Sequence, residues 1–198
     1  MSPDPISDQD LFVALQRGDD LALNQLISRW EKPLFAFAWR YVQNTADARD
    51  LVAETFVRLY QQRLRLRTDT KVSAWLFTAL TNLCHNQYRW RHRHPTVSFH
   101  SQEEDGSSLS DRLSGDAPRV NENVERDEAL HQLMKAVDEL PHELKTTVLL
   151  HHYEGLTYQQ IGAITGCSPR GVETRLYRAK QRLRERLTEF VKEITHGR

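Results

Sequence analysis

The sequence predicts an all-α protein of two helical domains joined by a flexible acidic linker, the C-terminal domain being a helix-turn-helix. Three observations lead there. Apolar residues recur at steps of three and four along most of the 198 residues, and strand patterns are weak throughout. Between residues 95 and 122 the periodicity vanishes and Ser, Asp, Glu, Gly and Pro dominate. Residues 157 to 187 spell a short helix, a tight turn and a second helix with a basic outer face. The predicted units are residues 1–94, a linker over 95–122, and residues 123–198.

In the first unit, Ser7 or Asp8 caps a helix carrying Leu11, Ala14 and Leu15, and Gly18-Asp19-Asp20 breaks it. A second helix holds Leu23, Leu26, Ile27, Trp30, Leu34, Phe37, Ala38 and Tyr41, with Pro33 inside it as a point of kinking. A third starts at Thr45 or Asp47 and carries Leu51, Val52, Phe56, Leu59 and Tyr60. A fourth begins near Ser73, with Trp75, Leu76, Ala79, Leu80, Leu83 and Tyr88, and ends in the basic run Arg89 to His94 before Pro95. In the second unit one helix holds Ala129, Leu130, Leu133, Met134 and Val137. Another runs from Pro141 through Leu144, Val148, Leu149 and Tyr153 to Gly155.

The helix-turn-helix is the most detailed signal. Thr157 and Gln160 have the spacing of a capping box. Ile161 and Ile164 supply the buried side of the first helix, and Gly166 suits its left-handed C-terminus. Ser168 is an N-cap followed by Pro169 at the first helical position. Val172, Leu176, Ala179, Leu183, Leu187 and Val191 then make one apolar stripe. A recognition helix reads base edges with its N-terminal residues, which here are Arg170, Glu173 and Thr174. Arg175, Arg178 and Lys180 suit phosphates, which supply affinity and salt dependence.

The formal net charge is zero, but its distribution is uneven. Arg63, Arg65, Arg67, Lys71, Arg89, Arg91 and Arg93 form one basic block, and the recognition helix with its tail forms another. Nine acidic residues between Glu103 and Glu128 separate them. No apolar run is long enough for a membrane span and the N-terminus lacks an apolar signal core. Two cysteines, Cys84 and Cys167, do not make a disulfide framework, so a cytoplasmic setting is expected.

The order of these parts resembles the bacterial sigma-70 family, in its small two-domain extracytoplasmic-function (ECF) branch. Four segments carry the likeness: Gln16-Arg17-Gly18-Asp19; Asp47 to Phe56; Ala74-Trp75-Leu76-Phe77 through Asn82 to the Arg-rich end; and Leu140-Pro141 with Gly155-Leu156-Thr157-Tyr158 and Arg175 to Lys180. The resemblance implies a sigma factor that binds core RNA polymerase and directs initiation at promoter DNA. Asp47, Asp50, Glu54 and Arg58 would meet the polymerase. Leu66, Arg67, Trp75, Asn82, Arg89, Arg91 and Arg93 would serve −10 recognition and melting. Ser168, Arg170, Glu173, Thr174, Arg175, Arg178 and Lys180 would read the −35 duplex. Melting in the family captures a flipped base, and unstacking costs a few kcal/mol. Trp75 and Phe77 suit either stacking on bases or core packing.

The chain departs from the family pattern at Arg49 and Ala53, where an acid and a Gln are usual, and at Leu66, where Phe is frequent. Glu173 replaces a common basic residue, and Gly171 a common Thr. The family's usual control is an anti-sigma factor, membrane-anchored in some members, that occludes both domains. No cofactor, small-molecule substrate or enzyme activity is expected. Two rival readings remain. An operator-binding regulator would use the helix-turn-helix without polymerase, which leaves residues 47–94 unexplained. A metal site at Cys84, His85, His92 and His94 would sit among cations and lacks paired ligand spacing on a turn.

Overall fold

The computed structural model describes residues 6–94 and 131–196. Among these every regular element is a helix. The predicted linker lies outside the described residues, as do Ala129 and Leu130.

Helix α1 (Asp8–Gln16) starts at Ser7, whose side chain accepts from the Asp10 N–H at 3.1 Å. Gly18 has φ +96°, so the chain turns there without the penalty a Cβ would bring. Asp19 then caps α2 (Asp20–Val42). Pro33 lies within α2, yet the helix runs unbroken past it. The first two helices are tied by Trp30, whose indole N–H donates to Asp8 at 3.0 Å, and by an Arg29–Asp8 ion pair.

Gln43 takes the left-handed conformation at φ 52°, and Asn44 caps α3 (Thr45–Gln62) by accepting from the Asp47 N–H at 2.9 Å. A loop over 63–71 leads to α4 (Val72–Arg93), which has no side-chain cap. These four helices bury Phe12, Leu15, Leu26, Leu34, Phe37, Leu59, Leu76 and Leu80. Phe77 stands edge-on to Trp30 and Phe37, at 6.2 and 5.7 Å between ring centres. It is therefore a core residue. Trp75 is half-buried and packs on the same core.

The second unit contains α5 (including residues 131–138), α6 (His142–His152), α7 (Tyr158–Thr165) and α8 (Pro169–His196). It is docked onto the first. Val137, Leu149, Leu150, Ile161, Ile164 and Val172 join the apolar core of α1–α4 in one continuous cluster. A second, smaller cluster of Leu140, Leu144, Val148 and Ala179 belongs to the C-terminal unit alone. Sequence periodicity gave no sign of this shared core, because α6 is buried nearly all round: Leu144 to Leu150 are all buried, including Lys145, Thr146 and Thr147.

Candidate nucleic-acid and polymerase interfaces

The helix-turn-helix is held by the predicted local devices. The Thr157 N–H donates to Gln160 Oε1 at 2.9 Å, and the Gln160 N–H donates to Thr157 Oγ1 at 3.3 Å, completing the capping box. Gly166 is left-handed at φ +66°. Ser168 Oγ accepts from the Gly171 N–H at 3.1 Å, and α8 begins at Pro169. A glycine missed in the sequence governs the turn. A Cβ on Gly162 would lie 2.5 Å from the Cys167 carbonyl oxygen, so α7 meets the turn at a distance that excludes any other residue.

Val172 and Ala179 are fully buried on the inner side of α8. Arg170, Glu173, Thr174, Tyr177, Arg178 and Lys180 are exposed on its outer side. Arg175 differs: it is half-buried and pairs with Glu143 of α6 at 3.2 Å. The N-terminal residues of α8 thus present one Arg, one Glu and one Thr to solvent, while Arg175 ties α8 to α6.

On α3, Asp50 and Glu54 are exposed, and Arg58 Nε donates to Glu54 at 2.8 Å. Asp47 is engaged elsewhere. It forms an ion pair with Arg91 and accepts from Gln87 at 3.4 Å, which ties α3 to the end of α4. Arg49 and Ala53, the two departures from the family pattern, fall on a neighbouring face. They line an apolar groove of about 840 Å³ with Leu23, Ile27, Phe35 and Phe56, away from the Asp50/Glu54/Arg58 edge.

On α4, Asn82, Arg89, Arg91 and Arg93 are exposed, and Trp90 stacks on His94 with ring centres 5.2 Å apart. In the loop before α4, Leu66 packs against the core, while Arg67 forms a bidentate pair with Asp69, both contacts at 2.9 Å. Basic residues therefore run from the loop to the far end of the helix, with Asn82 between them.

The seam between the two units carries groups the sequence reading passed over. Lys145 is 1 % exposed. Its ammonium donates to the Tyr41 carbonyl at 2.6 Å and to Asp138 at 2.5 Å, and lies 4.4 Å from the Tyr41 ring centre. Burial pushes its pKa down, and the Asp138 carboxylate opposes that. His142 Nδ1 lies 2.5 Å from the Tyr41 hydroxyl, and its ring stacks on His85 of α4 at 3.9 Å. Burial, and then His85, hold the His142 pKa down at about 4. Arg40 reaches Glu154 at 3.3 Å, and the Thr78 hydroxyl lies 3.2 Å from the Ile164 carbonyl oxygen.

Cys84 is fully buried, and burial pushes its thiol up to about 12, which keeps it protonated and unreactive. Among the described residues no group of three or more His, Cys, Asp or Glu gathers to hold a metal ion. No described helix is long and apolar enough to cross a membrane.

Comparison with known proteins follows the same division of the chain. Residues 26–94 match the family described as sigma-70 region 2, and residues 130–183 match sigma-70, region 4. RNA polymerase sigma-H factor of Pseudomonas aeruginosa is 26 % identical over 186 residues, covering 94 % of this chain and 96 % of that protein. ECF RNA polymerase sigma-E factor of Escherichia coli K12 is 27 % identical over 191 residues, covering 94 % and 97 %. Among solved structures, the sigma factor RpoE of Bartonella quintana, in complex with the anti-sigma factor NepR, superposes with a TM-score of 0.57. It is 26 % identical and covers 83 % of this chain and 96 % of that one. CnrH, in complex with the cytosolic domain of CnrY, shares the fold at a TM-score of 0.66 and 21 % identity, over 92 % of this chain and 97 % of that one. Neither matched family is a catalytic one. With regions 2 and 4 both present, in order, over more than half its length, the chain belongs to the sigma-70 family and is a sigma factor of the ECF type.

Proposed function

We propose that this sigma factor, which binds core RNA polymerase and directs promoter-specific initiation, divides the work among three surfaces. Asp50, Glu54 and Arg58 on the open edge of α3 meet the polymerase, with Asp47 supporting them through Arg91. Leu66, Arg67, Trp75 and Asn82 form the −10 melting surface, and Arg89, Arg91 and Arg93 follow the duplex phosphates beside it. Arg170, Glu173 and Thr174 read −35 base edges from the start of α8, while Arg178 and Lys180 contact phosphates. Ser168 caps the helix at the DNA, and Arg175 braces it.

The observation that supports this division is that exposed basic residues lie on two separate helices, α4 and α8, in different units. The promoter elements are named for positions about 25 base pairs apart, roughly 85 Å along a duplex at ~3.4 Å per base pair. In the docked chain, α4 touches α7 through Thr78 and Ile164. Both elements cannot be read at once from that arrangement, so the units separate when the promoter is bound. An anti-sigma factor, of the kind seen on RpoE, would act by keeping them together or by covering them.

Run-off transcription on fragmented genomic DNA of the host, with core polymerase and with or without this chain, tests the reading. New discrete start sites that need the chain support it, and Asp50→Ala with Glu54→Ala should abolish them. New starts that survive both substitutions would remove the α3 edge from the polymerase contact.

A further inference from the structure

The loop that joins α3 to α4 is held by a side chain from a third helix. Gln16, the last residue of α1, donates from Nε2 to the Arg63 carbonyl at 2.7 Å and to the Leu66 carbonyl at 2.9 Å. These carbonyls sit within the turn closed by the Leu66 N–H on the Gln62 carbonyl, the turn that presents Leu66 and Arg67. The reverse amide orientation would set Oε1 against two carbonyl oxygens, so the partners dictate that nitrogen faces the loop. Gln16 Oε1 is buried and accepts no hydrogen bond. The position therefore uses the donors and tolerates an idle acceptor, which a purely space-filling residue would not require.

Beyond Leu66 the loop is tied to itself. Arg67 pairs with Asp69, the Thr70 N–H donates to the Arg67 carbonyl, and the Arg67 side chain is 84 % exposed. The tip is free to meet a ligand, while its base is clamped from α1.

We propose that Gln16 is a positioning residue for promoter opening. It fixes the base of the 63–70 loop, where Leu66 packs on the core, so that Arg67 at the exposed tip meets the unstacked −10 base in a single geometry. A loop ordered in advance loses less conformational entropy at the moment of capture. The inference rests on the reading of this loop as part of the −10 surface.

The test uses the full chain with bacterial core polymerase on a promoter found by run-off transcription. Gln16→Met keeps the length and removes the donors. Gln16→Lys keeps donors for both carbonyls and has no idle acceptor. The readouts are closed-complex affinity, the rate of isomerisation to the open complex, and discrimination among bases substituted at the captured −10 position. The Met variant should open roughly tenfold more slowly, the loss expected when about one residue of the loop has to be ordered at capture, with relaxed base discrimination and unchanged closed-complex affinity. The Lys variant should open at nearly the parent rate. A folded Met variant with parental opening and discrimination would overturn the proposal. If the Met variant does not fold, slow opening by a folded Lys variant would overturn it instead. Leu66→Ala and Arg67→Ala separate the two levels. If neither affects opening, the loop's assignment to −10 DNA fails; if either does while Gln16→Met has no effect, only the positioning role fails.

Discussion

The helix-turn-helix and the seam beneath it lie within a few residues of each other but are specified in different ways. In α7 and α8 the decisive groups are sequence neighbours: Thr157 with Gln160, Gly166, Ser168 with Gly171, and Gly162 against Cys167. At the seam the partners are about a hundred residues apart: Tyr41 with Lys145 and His142, Arg40 with Glu154, Thr78 with Ile164. The first set determines the shape of a DNA reader wherever it is carried. The second determines where that reader is held, and it consists of a buried cation, a stacked histidine pair and one ion pair resting on a shared apolar core. The shape of the reader is set locally, although Ile161, Ile164 and Val172 also reach into the shared core. The polar groups of the seam specify one docked geometry over the shared apolar core, and the proposed function requires that geometry to give way to contacts with polymerase and DNA.

Substitutions should separate the two. The largest effect is expected at Gly162→Ala, because the new Cβ meets backbone rather than a movable side chain. It should destabilise the C-terminal unit by about 2–3 kcal/mol and abolish binding to −35 duplex, seen in thermal melting and in gel-shift titration.

Lys145→Met should act on the seam instead. It leaves the Tyr41 carbonyl without its donor and Asp138 without its cation, although Asp138 is partly open to water. A loss of about 1–3 kcal/mol is expected in docking of the two units, with affinity for −35 duplex unchanged. Loss of duplex binding in this variant would mean that the seam also shapes the reader.

Acid should loosen the seam as well. Burial, and then His85, hold the His142 pKa at about 4 against an ordinary 6.5, and both His85 and the covering Tyr41 come from the first unit, so docking favours the neutral form. That contribution is complete above pH 6.5 and is lost as the pH falls toward 4. Of the groups facing it, those on α4 leave on undocking, whereas those on α6 and α8 stay beside it. His85 and Arg89 lie on the α4 side, Lys145 on α6 and Arg175 on α8, with Glu143 occupied by Arg175. Interdomain distance measured against pH should show opening in this window, and His142→Asn should flatten the dependence. An identical pH profile in the variant would assign the effect to other groups.

The smallest effect is expected at Thr157→Ala, which removes half of the capping box. About 1 kcal/mol should be lost, confined to the C-terminal unit, with no change in docking.

The same contrast explains what was legible in the sequence. Caps, breaks and stripes were readable because each is a short-range pattern: Ser7, Asp19, the Thr157 box, Gly166, and the run from Val172 to Ala179 all lie where spacing indicates. Helix α6 was readable as a helix but not as a buried one. Lys145, Thr146 and Thr147 interrupt its apolar face, and only the approach of α2 on one side and α8 on the other encloses them. Asp47 is expected from the family resemblance to meet the polymerase, whereas the fold pairs it with Arg91, 44 residues on. Gly162 gave no signal because its constraint comes from a carbonyl that reaches it only after the turn has formed.

The most direct test is the distance between the two units. Fluorophores at Ser28→Cys and Thr188→Cys, in a Cys167→Ser background that leaves the buried Cys84 untouched, report it by single-molecule energy transfer. The docked geometry predicts a single population, at the shorter distance, for the free chain. On a run-off-competent promoter with core polymerase that population should be replaced by a much longer distance, in keeping with the ~85 Å between elements. A transcribing complex that kept the short distance would contradict the separation of the two units and, with it, the assignment of α4 and α8 to the two promoter elements.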